Sequence, residues 1–161
     1  MKTLIITIAL LGALNANAAK CGVEEQDDVA VLTNSNFEDF LKSHRYVFVK
    51  FYAPWCGHCK SMAPGYSKLA TRMKGEEKSI PIAKVDVTVE KELAGKFGVG
   101  GYPSLKFFVE GNPIDYSGQR EEEAIYNWIQ KKTGPVSTEL TTLEQVKELE
   151  DKKIAVLFAT T

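Results

Sequence analysis

Apolar positions along this chain come in short runs whose spacing alternates between the strand and helix periods. Val29 to Leu32 reads as a short strand. Asn34 is placed to cap the helix that follows, whose apolar face is Phe37, Phe40 and Leu41. Tyr46 to Tyr52 is rich in aromatic and β-branched residues and nearly continuous in hydrophobicity, as expected of a strand buried on both faces. From Lys60 to Lys74 the residues Met62, Tyr66, Leu69, Ala70 and Met73 form one stripe of an amphipathic helix. Pro64 predicts a kink in that helix and Gly75 its end. Ile82 to Val87 reads as a strand, and Glu90 to Phe97 as a short helix followed by Gly98. Ser104 to Val109 is a strong strand, Glu110-Gly111-Asn112 a turn, and Ile114 to Ser117 a last strand. Glu121 to Thr133 closes the series as a helix, acidic at its start and basic at its end, which complements the helix dipole. Gly134-Pro135 terminates it.

Strands alternating with helices predict an α/β fold, a central mixed sheet with helices on both faces and a closing antiparallel hairpin. The segments outside that pattern read differently. Lys2 followed by the apolar run Leu4 to Leu14 has the form of a signal peptide and is too short to span a bilayer. Ala16-Asn17-Ala18 supplies the small-x-small cleavage pattern, with cleavage expected near Ala18 and Ala16 as the alternative. Residues 1–18 are therefore expected to be a signal peptide, 19–28 a flexible polar lead-in and 29–134 the catalytic domain. Residues 135–161 are expected to be a linker and the incomplete start of a second domain. Thr142 can cap a helix there, and Ile154 to Phe158 has the composition of a buried strand.

Composition narrows the function. A net charge of -1 offers nothing to nucleic acid or an anionic membrane, and after signal removal no run approaches membrane-spanning length. A secretory signal places the chain where disulfides form and persist. Of the three cysteines, Cys21 has no partner in the chain and reads as a mobile thiol. The other two lie in Trp55-Cys56-Gly57-His58-Cys59, where a strand hands over to a helix. Such a placement marks a redox pair. A zinc site would need about four ligands, and only Cys21, His44 and His58 stand beyond the pair. A structural disulfide across so short a loop would constrain the unfolded chain little. No cofactor is called for. At a helix start Cys56 would face free N–H groups that favour its thiolate, and a protonated His58 would add positive charge. Both would make the disulfide more oxidising. Gly57 lets the backbone turn between the sulfurs, and Cys59, one turn on, should be the more buried.

The stretch Phe51-Tyr52-Ala53-Pro54-Trp55-Cys56-Gly57-His58-Cys59-Lys60 resembles the active-site signature of the protein disulfide isomerase family. Gly101-Tyr102-Pro103-Ser104 is similar to that family's cis-proline loop. The resemblance covers roughly residues 27–134 and implies a thioredoxin fold with dithiol–disulfide exchange on folding secretory proteins. It implies Cys56 as nucleophile, Cys59 as resolving cysteine and a groove for extended clients at Trp55, Tyr102 and Pro103. Arg120 matches an arginine that swings toward the resolving cysteine. Recharging would fall to a thiol oxidant of the endoplasmic reticulum or to glutathione. The implied location is the endoplasmic reticulum lumen; the last four residues are not a retrieval tetrapeptide, which leaves secretion open. A non-turnover client-binding or chaperone module and a thioredoxin-like reductase are the competing readings. Lys50 departs from the family, which usually carries a glutamate there. By strand alternation Lys50 shares a face with Phe48 and Tyr52, where burial would lower its pKa, so proton transfer at Cys59 is expected to be weaker or rerouted.

Overall fold

The structure, a computed structural model, describes residues 22–134. The expected signal segment, Cys21 and the expected linker and partial second domain lie outside the described residues.

Six strands form one sheet in the order β1-β2-β4-β3-β5-β6. In chain order the elements are β1 (Glu25–Gln26), β2 (Val29–Val31), α1 (Phe37–Ser43), β3 (Tyr46–Tyr52), α2 (Gly57–Lys74), β4 (Ile82–Asp86), α3 (Lys91–Lys96), β5 (Ser104–Val109), β6 (Asn112–Tyr116) and α4 (Glu122–Thr133). β3 is central, parallel to β4 and antiparallel to β5, so the sheet is mixed. Its middle residues are buried on both faces, which is why its sequence lacks alternation. Val47, Val49 and Phe51 join Phe37, Phe40 and Leu41 of α1 and Leu93 of α3 in one core. On the opposite face Phe48 and Lys50 lie under α2, with the Phe48 and Tyr66 rings 6.3 Å apart.

Three boundaries differ from expectation, each for a local reason. The lead-in contains a strand: Glu25 pairs with Ala30 and Gln26 with Val29. Asp27 and Asp28 make the two-residue turn between them with φ of 52° and 62°. A turn with both central residues at positive φ matches the twist of a hairpin, and Asp tolerates it better than most residues. Asn36, not Asn34, precedes α1; its Oδ1 accepts the Thr33 N–H at 2.8 Å, while the Asn34 N–H goes to Glu90 Oε2 at 2.9 Å. The second hairpin turns on Glu110 (φ 51°) and Gly111 (φ 82°) alone, so Asn112 already pairs with Val109. Pro64 lies inside α2, and Gly75 follows as its C-cap.

Both sheet edges are short or interrupted. β1 has two exposed residues, and Lys74 Nζ holds Glu25 and Asp28, each at 2.9 Å. β6 carries Pro113 and is exposed over its first four residues. The chain divides into two units, Met1–Tyr126 and Asn127–Thr161. Of the second, the described part is the end of α4, where Thr133 Oγ1 donates to the Ile129 carbonyl at 2.9 Å.

Candidate active site

The two sulfurs sit where β3 passes into α2. Ala53 follows the strand, and its carbonyl accepts the Cys56 N–H at 3.1 Å, closing the turn that starts the helix. Cys56 is the N-cap of α2, with extended backbone (φ −73°, ψ 117°). Its Sγ accepts the Cys59 N–H at 3.3 Å, as a capping oxygen would. The helix therefore begins at Gly57, three residues before the run from Lys60 that the sequence marks as helical. Both cysteines are free thiols, buried with Ala53 and flanked by Tyr52 and Tyr102.

The two thiols are driven apart in acidity. The hydrogen bond from the Cys59 thiol holds Cys56 below the usual thiol range, helped by the N–H groups of Cys59 and His58 and by the Arg120 charge. Burial pushes Cys59 up, and the bond to Cys56 pushes in the same direction. The Ala53 backbone and the Lys50 charge oppose that rise. A pair split in this way presents one thiolate for attack and holds one thiol in reserve. His58 is exposed, and its backbone N–H is among the groups that favour the Cys56 thiolate.

A second loop faces the sulfurs. The Tyr102–Pro103 peptide is cis. The Cys56 thiol points at the Tyr102 carbonyl, 3.6 Å away. Trp55, 70% exposed, meets the Tyr102 ring edge-on with centroids 5.8 Å apart. Arg120 Nη2 donates to the Pro103 carbonyl at 3.5 Å. A cleft of about 460 Å³ runs beside this loop, lined by Tyr102, Pro103, Lys106, Asp115 and Arg120 among others. Lys106 is buried and ion-paired with Asp115. Trp55, Cys56, Cys59, Tyr102, Pro103 and Arg120 thus converge. In this arrangement Arg120 rests against the Pro103 carbonyl, and its charge favours the Cys56 thiolate.

On the face of β3 under α2 lies Lys50, 4% exposed. Its Nζ stands 4.3 Å from the centre of the Tyr66 ring and 5.7 Å from that of Tyr52. Burial, with the charge of Lys84 opposite it in β4, lowers its pKa to about 8. Tyr66 does more than fill the apolar stripe. Its hydroxyl donates to the Ala83 carbonyl at 2.8 Å and to the Phe48 carbonyl at 3.2 Å, fastening α2 to β4 and β3. A tyrosine within a helix's apolar stripe is the sequence signal for this, because a buried hydroxyl needs a partner.

The thioredoxin family profile matches residues 28–131. The chain belongs to the thioredoxin family. Over 158 residues this thioredoxin-family chain is 44% identical to the protein disulfide-isomerase of Drosophila melanogaster, covering 98% of this chain and 32% of that protein. It is 46% identical to the Gallus gallus protein disulfide-isomerase over 93% of this chain and 30% of the relative. The chain therefore spans about a third of the length of these curated relatives. Its fold superposes on the first thioredoxin domain of mouse protein disulfide-isomerase A4 with a TM-score of 0.68, 37% identity, and coverage of 82% of this chain and 95% of that domain. These likenesses agree with the fold expected from the alternating pattern.

Proposed function

We infer that this domain is a thiol-disulfide oxidoreductase and isomerase acting on proteins of the secretory pathway. The observation that carries the reading is the asymmetric pair, Cys56 held low and Cys59 held high at the start of one helix. Its likeness to named protein disulfide-isomerases supports it.

The Cys56 thiolate attacks one sulfur of a client disulfide. The client's S–S bond breaks, a Cys56–client mixed disulfide forms, and the other client sulfur leaves as a thiolate that takes up a proton. Cys59, once deprotonated, attacks the Cys56 sulfur, expels the second client thiolate and closes Cys56–Cys59. In oxidation the same steps run backward. An oxidant of the endoplasmic reticulum or oxidised glutathione then restores the disulfide and is itself reduced. The exposed Trp55, Tyr102 and the loop around Pro103 supply a surface for an extended client, and Arg120 steadies that loop while favouring the Cys56 thiolate. The signal-like leader supports the endoplasmic reticulum lumen as the site of action.

The Cys56→Ser variant tests the reading. It should abolish insulin reduction and refolding of scrambled ribonuclease, both of which need the attacking thiolate. The exposed Trp55–Tyr102 pair favours one other reading, client binding without turnover. Full activity in Cys56→Ser assays of client protection, with no exchange activity in the native chain, would establish that one instead.

A further inference from the structure

Arg120 is a cation with donors to spare. A guanidinium carries several N–H groups in one plane, and the hydrogen bond Arg120 makes among the described residues is the single one to the Pro103 carbonyl at 3.5 Å. No carboxylate among the described residues pairs with it. Glu121 and Glu122 share a neighbouring groove with it, and Glu122 reaches Arg72 at 3.8 Å instead. An arginine in this state is ready for a carboxylate from outside the domain.

The place it lines is a built one. It is the polar cleft of about 460 Å³ beside the Tyr102–Pro103 loop. The 117–119 segment of its lining is pinned by Tyr116, whose hydroxyl donates to the Gln119 carbonyl at 2.6 Å. The same side chain passes so close to Gly118 that a Cβ there would stand 2.6 Å from the hydroxyl. Lys106 lines the cleft too, buried and paired with Asp115, whose own side chain is exposed. The lining thus holds two cations, Lys106 and Arg120, against one anion, Asp115. The cleft also lies beside the attacking sulfur. The Cys56 thiol points at the Tyr102 carbonyl at 3.6 Å, and Arg120 donates to the carbonyl of the next residue. Adjacent residues of one loop therefore meet the nucleophile and the arginine.

We propose that this cleft is a specificity subsite for an acidic side chain of the client, with Arg120 as its anchor. The proposal rests on the exchange chemistry inferred above. An extended chain advances about 3.3 Å per residue, so a client whose sulfur reaches Cys56 brings an Asp or Glu about two residues away to the guanidinium. The carboxylate is held there while the sulfurs exchange, and no bond of the exchange is altered by it. Lys106 adds to the positive potential and Asp115 tempers it, so the charges of the lining set the strength of the preference.

Disulfide-bearing peptides that brighten on cleavage test it. They are identical except for Glu or Gln at that spacing, before the cysteine in one set and after it in the other. Each is mixed with the reduced full chain over a range of concentrations. In one of the two sets the Glu peptide should half-saturate at about fivefold lower concentration than the Gln peptide, with the maximal rate unchanged. Arg120→Gln should bring that ratio to about one. Arg120 also favours the Cys56 thiolate, but this slows both peptides alike and cancels in the ratio. Asp115→Asn, at an exposed position, removes the anion and should raise the ratio about twofold. A purely structural role for these residues would move both peptides together. A native ratio near one in both sets, a preference that survives Arg120→Gln, or a ratio that Asp115→Asn fails to raise overturns the proposal. A native chain that cleaves none of the peptides would instead overturn the exchange chemistry itself, so the two failures are distinguishable.

Discussion

The placement of Lys50 makes a prediction about stability. Its pKa is lowered to about 8 from an ordinary value of 10.5. At about 1.4 kcal/mol per unit, the folded state carries a penalty of about 3 kcal/mol while the lysine is charged. The attraction of the ammonium to the Tyr66 ring at 4.3 Å recovers about 1 kcal/mol. Burial wins, by about 2 kcal/mol. Lys50→Met, similar in length and apolar, should therefore be more stable than the native chain by about 2 kcal/mol near neutral pH. The sign with pH follows from proton counting. Between about 8 and 10.5 the unfolded chain holds the Lys50 proton and the folded chain does not, so native stability rises across that window. Below it the penalty is fully present, and above it the penalty is gone. Urea unfolding followed by circular dichroism, with a reductant present, should show the largest gap between variant and native protein near neutral pH and a narrower gap above the window. A variant less stable than the native chain, or a gap that does not change with pH, would refute the reasoning.

Two further predictions concern the supports of the site. Tyr66→Phe keeps the buried ring and removes the hydroxyl bonded to the Ala83 and Phe48 carbonyls, and should cost about 1 to 2 kcal/mol in urea unfolding; a loss under about 0.3 kcal/mol would mean those bonds contribute nothing net. His58→Pro removes the backbone N–H that acts on Cys56, whereas His58→Ala keeps it, so equilibration with glutathione should show the proline variant more reducing by about 30 mV than the alanine one. Equal potentials for the two would assign the effect to the imidazole.

Much of the frame was legible because burial writes itself into residue type. The continuous apolar run of β3, the stripe of α2 and the strand–helix position of Cys56 and Cys59 all follow from hydrophobic periodicity. What escaped was backbone and distance. Asp27 and Asp28 look like a polar lead-in, yet they are the turn of a hairpin whose strand β1 is too short to show a pattern. Asn34 and Asn36 are equally good capping types, and only the path of the chain decides between them. The hydroxyl of Tyr66 is invisible in a stripe scored for hydrophobicity. Arg120 could be placed near the site by its likeness to a family position, but its hydrogen bond to the Pro103 carbonyl depends on the path of the chain between them.

The two edges of the sheet carry a last consequence. Under the proposed function the domain would meet extended segments with unpaired N–H and C=O groups. An open strand edge would pair with such segments indiscriminately and hold them away from the sulfurs. Here one edge is two residues long and carries Glu25, held by Lys74, and the other is interrupted by Pro113, which has no N–H to give. Both edges thereby discourage main-chain adhesion. The loop around Tyr102 and Pro103 lies apart from both edges and beside Cys56, so an extended segment that the edges turn away still finds a surface next to the sulfurs.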